Sequence, residues 1–180
     1  WFNSFNETIG KNNDISSRVK ALGTNASTRG HSLLSVNNVI TSYPQGEELR
    51  RDALLIPIPI NNNISSDPIC VDNVTVPIFF ENLELTIVGP TKRNLDKLLK
   101  DWKDWLNKQD AEIEQIDYYS AGMTDRSIPN ISSIMFIAKA ESKQILFTGD
   151  GRGDHLIEGL QQLNLLDRNG KIHVDILKVP

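Results

Sequence analysis

A chain of 180 residues has the size of one domain with room for a sizeable core. Its formal net charge of −4 and pI of about 5.4 argue against a protein whose main task is to track nucleic-acid phosphates, so net charge does not support nucleic acid as a partner. No apolar run approaches the roughly 20 residues that span a bilayer, and a lone cysteine, Cys70, leaves no internal disulfide or multi-thiol zinc knuckle, so a reducing, cytoplasmic setting is expected.

From Trp1 to about Gly30 the chain is polar and rich in Asn and Ser, which predicts irregular or partly helical structure. Sequons at Asn6, Asn25, Asn63, Asn73 and Asn130 are what so Asn-rich a chain produces by chance. "HSLLSVNNVITSY" carries Leu33, Leu34, Val36, Val39 and Ile40 at helical spacing, closed by Pro44. "RRDALLIPIPI" alternates isoleucines with Pro57 and Pro59, which predicts an edge strand or extended segment. In "ENLELTIVGPT", Leu83, Leu85 and Ile87 alternate as a half-buried strand, Gly89-Pro90 turns the chain, and Thr91 is placed to cap a helix. Leu95, Leu98, Leu99, Trp102, Trp105 and Leu106 share one face of that helix, with the tryptophans expected in the core.

"SSIMFIAK" and "KQILFTG", joined by the polar "AES", form the pattern of an antiparallel hairpin. A stripe of Leu156, Ile157, Leu160, Leu163 and Leu166 predicts a helix, Asn169-Gly170 a turn, and "KIHVDILKVP" a last strand. Strand, strand, helix, strand gives an α/β protein with helices packed on a sheet. The chain starts on Trp1 without a Met and stops at Pro180, directly after a strand-like run. Residues 1–180 are therefore read as a single domain, expected to be a fragment of a larger one.

Chemistry has few places to sit. His31, His155 and His173 are far apart and make no i, i+2 or i, i+4 pair, so each is expected at the surface or satisfied in the core. No P-loop or nucleophile elbow occurs, and "GDGRGD" lacks the G-x-G-x-x-G spacing. Arg152-Gly153-Asp154 is the tripeptide that adhesion receptors read, in a chain without secretory features. Asp150 ends an apolar run between Gly149 and Gly151, where a hard carboxylate on a strand end suits a metal cation. Its structural alternative is a turn or cap acid, although Asp154 stands better placed to cap a helix starting near Leu156.

"NISSIMFIAKAESKQILFTGDGRGDHLIEGL", followed by "KIHVDILKVP", resembles the C-terminal half of the metallo-β-lactamase superfamily, closest to the hydrolase domain of bacterial DNA-uptake (competence) channel proteins. The likeness runs from about Glu81 to Pro180, with "ENLELTIVGPT" similar to the preceding strand and "WFNSF" to a segment after the first metal motif. It implies part of a four-layer αββα sandwich with mainly antiparallel sheets. It also implies a metal-dependent hydrolase of an ester or phosphodiester, with two metal ions, usually zinc, bridged by the acid of "TGD", here Asp150. Asn130, Ser132, Thr148, Gly149 and Gly151 would line the site. The chain departs from the pattern in three places: the H-x-H-x-D-H motif is absent, the terminal histidine would fall just beyond Pro180, and Asn130 stands near the place of an intermediate His ligand. Substrate would be a small molecule or phosphodiester, and no general acid is assigned. The alternative is a metal-free interaction module on the same fold.

Overall fold

The structure, a computed structural model, describes residues 51–57, 68–114 and 132–179, with Asn3, Ile15, Ser17, Arg18, Leu49, Asn61 and Ile64; within 105–114 it describes the backbone and the Asn107 side chain. Five strands make one sheet in the order β1 (Ile78–Phe80), β2 (Leu83–Gly89), β3 (Met135–Ala140), β4 (Lys143–Phe147) and β5 (Ile176–Lys178). Helix α1 (Lys92–Glu114) connects β2 to β3, and α2 (Gly153–Gln162) connects β4 to β5. Neighbours from β1 to β4 are antiparallel, whereas β5 joins β4 in parallel, so the fold is α/β on a mixed sheet. No helix among the described residues is long and apolar enough to cross a membrane.

Local chemistry explains the order. Antiparallel neighbours can be joined tightly, and Glu81-Asn82 and Glu141-Ser142 do so, each with its glutamate at φ 53. A parallel pair needs a crossover, which α2 supplies. Thr91 caps α1 as predicted: the Asn94 N–H donates to Thr91 Oγ1 at 3.2 Å, and the Thr91 N–H donates back to Asn94 Oδ1 at 3.0 Å. Leu95, Leu98 and Trp102 are buried along one face of that helix, while Lys92 with Asp96 and Lys97 with Asp101 pair along its exposed side.

The sheet has a core on each face. On one, Val88, Met135, Ile137 and Leu146 pack with Leu160 of α2. On the other, Ile87 packs with Ile69 and Val74, with Phe136 alongside. Phe136 and Phe147, directly opposed on β3 and β4, stack at 4.8 Å. Asp72 ties the helices together, accepting from the Lys92 N–H at the start of α1 and from Gln162 Nε2 at the end of α2.

Three expectations change. Residues 51–55 are helical rather than extended, with the Ile56 N–H bonded to the Asp52 carbonyl. Pro57 ends that helix from downstream, which a proline does without disturbing the turns before it. The last strand shrinks to Ile176–Lys178, because Ile172 and Val174 fold onto the α2 core instead. Ile157 leaves the helical stripe and is exposed, while Leu156 and Leu163 flank Leu160. The predicted helix around Leu33 to Ile40 lies outside the described residues, as do His31 and the Trp105 side chain.

Candidate functional site

After Phe147 the chain turns off the end of the sheet. Thr148 is buried and fastened to β5: its N–H donates to the Lys178 carbonyl at 3.1 Å, and its hydroxyl lies 3.1 Å from the same oxygen. The Gly151 N–H closes on the Thr148 carbonyl at 2.9 Å, which makes a turn with Gly149 and Asp150 at its centre. Gly149 takes φ +51, the left-handed region that favours glycine, and the turn leans on Ser133 and Ile134. A Cβ on Gly151 would lie 2.5 Å from Met135 Sδ, so the loop backbone rests directly on the core. The glycines therefore shape and seat a turn whose tip is Asp150.

The Asp150 carboxylate is exposed, and among the described residues it enters no hydrogen bond or ion pair. Asp154 is the opposite case. Helix α2 begins at Gly153, with Arg152 at its N-cap in extended backbone and no side-chain cap, so Asp154 lies inside the first turn and does not cap it. Its two oxygens each accept from Arg152 at 3.0 Å, and that pairing holds the carboxyl well below the usual carboxylate range, at about 2. The correction has a local cause: the guanidinium two positions back competes for the carboxylate that a free N–H would otherwise attract.

His155 follows in the same turn, buried, and burial pushes its imidazole below the ordinary histidine range. One turn on, Glu158 reaches α1, accepting from Asn94 Nδ2 at 3.1 Å beside the Thr91 hydroxyl. Cys70 is a buried free thiol pushed up by burial, which leaves it inert as a nucleophile. Of the residues expected to line the site, Thr148, Gly149 and Gly151 build the turn. Ser132 is half-buried, and its carbonyl accepts from Asn3 Nδ2; its neighbour Ser133 is the serine against which the turn rests. Asn130 lies outside the described residues.

Among the described residues no three His, Cys, Asp or Glu side chains gather closely enough to hold a metal ion. A catalytic zinc takes about three protein ligands. Asp150 alone among the described residues therefore does not make the implied centre. Comparison with protein-family models, curated proteins and solved structures finds no match.

A second feature lies at the other end of the sheet. Between Gln144 and Phe147 the chain advances roughly 10 Å along β4. Beside Gln144, on the face that carries α2, a cleft of about 500 Å³ opens between the sheet and the loop that follows α2. No spacing in the sequence marks its residues, because those on the sheet meet only through the cross-strand register and the others come from the loop after α2.

Proposed function

We propose that the protein is a metal-dependent hydrolase acting on an ester or phosphodiester, and that Asp150 presents a carboxylate that bridges two divalent ions, zinc in the first instance. The observation that carries the reading is an exposed carboxylate, without a partner among the described residues, at the tip of a turn seated on the core through Gly149 and Gly151. A hard oxygen ligand held this way loses little conformational freedom on binding a cation. If held there with further ligands, the chemistry such ions would supply is activation of water near neutral pH. The reading needs further ligands from outside the described residues. It extends to part of a four-layer αββα sandwich: the sheet face that carries Ile145 and Phe147 ends in Ile176, left 55% exposed, as a face awaiting a second layer would be. A metal-free interaction module is the second reading, favoured by the lack of a three-ligand group among the described residues.

The test is made on the full-length natural protein, with elemental analysis and hydrolysis of bis(4-nitrophenyl) phosphate in zinc or manganese. Asp150→Asn is expected to keep the melting midpoint and lose both metal and turnover. Asp154→Ala breaks an exposed ion pair worth about 0–1 kcal/mol, outside the Asp150 turn, so turnover is expected to survive. An Asp150→Asn protein that stays metal-loaded and active returns the chain to the metal-free reading.

A further inference from the structure

The cleft beside Gln144 has a rigid frame. Glu84, Lys139 and Gln144 stand in one row across β2, β3 and β4, and Thr86 and Ile137 form the next row inward. The facing wall is held at both ends. At one, Asp167 Oδ1 accepts the N–H groups of Asn169 and Lys171 at 2.8 and 2.9 Å, closing a tight turn. At the other, Gln144 Nε2 donates to the His173 carbonyl, and the Gln144 N–H donates to Asp175 Oδ2 at 2.9 Å. The site therefore exists before any ligand arrives, and its volume lies within the range of small-molecule sites, about 300–1,000 Å³.

Its charges differ in depth: Glu84 lies inward, while Lys139 and Lys171 stand at the mouth with Asp167, whose Oδ1 is engaged in its own turn. Glu84 is half-buried and, although Lys139 stands directly across from it, the two form no ion pair. Lys139 and Lys171 are exposed at the mouth, and neither ammonium enters an ion pair among the described residues. Ile137, Leu166 and Ile172 supply apolar walls. Among the described residues the Glu84 carboxylate has no ion-pair partner; a half-buried carboxylate left so is costly, and an ammonium group relieves that cost. The two lysines at the mouth do the same for an anion.

We propose that this cleft binds a small zwitterion with an apolar side chain, of the amino-acid class, with its ammonium inward on Glu84 and Thr86 and its carboxylate outward between Lys139 and Lys171. The proposal is independent of the metal reading, because none of these residues belongs to the Asp150 turn. It explains together why acid and base in one row form no ion pair among the described residues and why the walls are apolar.

The probes are L-phenylalanine, 3-phenylpropionate, which lacks the ammonium, and 2-phenylethylamine, which lacks the carboxylate. Each is titrated against the protein while amide NMR shifts of Glu84, Lys139, Gln144 and Ile172 are followed. L-Phenylalanine is expected to saturate shifts at these positions, 3-phenylpropionate to bind about tenfold more weakly, the worth of one charged hydrogen bond, and 2-phenylethylamine about two- to fivefold more weakly, since the lysines its missing carboxylate would meet are exposed. Glu84→Gln should weaken L-phenylalanine and 2-phenylethylamine about tenfold and leave 3-phenylpropionate unchanged. The double variant Lys139→Gln with Lys171→Gln should weaken L-phenylalanine and 3-phenylpropionate about two- to fivefold, since these cations are exposed, and spare 2-phenylethylamine. Equal binding of all three probes, preference for a half-ligand, shifts confined to other residues, or no saturation up to about 10 mM, a free energy near −2.7 kcal/mol, would each overturn the proposal.

Discussion

Helix α2 carries the turn at Asp150 against the sheet, and Gly159 sets how closely it can lie. A Cβ placed there would stand 1.9 Å from the Val88 carbonyl oxygen and 2.9 Å from its carbon. Real contacts begin near 3.0 Å, so Gly159→Ala must part the two backbones by about 1 Å at the point where β2 departs from regular register between Ile87 and Gly89. The obstacle is main chain, not a side chain that can swing aside. Overpacking costs about 1–3 kcal/mol, and because the obstacle is main chain and the displacement also loosens Leu160 against Val88 and Met135, the cost here falls in the upper part, roughly 2–3 kcal/mol. Alanine gains about 1 kcal/mol over glycine in a helix interior, which offsets part of the loss without reversing it. Gly153→Ala is the matched control, because nothing lies within 4 Å of its Cβ. With a urea slope of about 2 kcal/mol/M, Gly159→Ala should lower the unfolding midpoint by about 0.5–1 M, while Gly153→Ala leaves it unchanged or raises it. A Gly159→Ala protein melting at or above wild type would refute the close packing of α2 on β2.

Two further perturbations test the frame of the site. Because burial depresses the His155 pKa in the fold, the unfolded chain takes up the proton first: stability should be full above about pH 6.5 and fall as pH drops toward the depressed value, at most about 1.4 kcal/mol per pH unit. His155→Gln should flatten urea midpoints between pH 7 and pH 5, a window clear of Asp154, whose contribution is lost only as pH falls from 3.8 toward about 2; an unchanged slope would be the failure. Trp102 is 6% exposed on the buried face of α1, so Trp102→Ala should cost about 3–5 kcal/mol in the same melts, and a wild-type midpoint would move the residue out of the core.

What the sequence makes legible here is what depends on near neighbours along the chain. The β3–β4 hairpin, the apolar stripe Leu95–Leu98–Trp102 and the Thr91 cap are each written within a few residues, and each forms as read. The errors arise where two local rules compete. Pro57 and Pro59 suggest an extended run, but a proline also ends a helix that precedes it, and Arg51–Leu55 takes that course. Asp154 has the composition of a cap, but Arg152 reaches it first. β1 escapes notice because three residues are too short to show a period. The Asp150 turn is legible because its glycines are adjacent to the acid they serve. The cleft is not, since Glu84 and Lys139 are neighbours only through the pairing of β2 with β3.

Both features of the sheet hang on one short, exposed strand, β5. Ile176, Leu177 and Val179 are each more than half exposed, so burial contributes little to hold β5 in place. Its ends are pinned by polar contacts instead. Beyond Lys178 in space lies the buried Thr148, whose N–H takes the Lys178 carbonyl and so fixes the start of the Asp150 turn. Before Ile176 lies Asp175, whose carboxylate accepts from Lys143 Nζ at 2.7 Å and from the Gln144 N–H, while its own N–H returns to the Gln144 carbonyl. The Lys143 ammonium is held above its usual range and the Asp175 carboxyl below its own by the hydrogen bond they share. That knot also fixes Gln144, the residue from which the cleft wall is hung. A strand of three residues thus serves less as core than as a strap, with the proposed metal-ligand turn tied at one end and the proposed zwitterion cleft at the other.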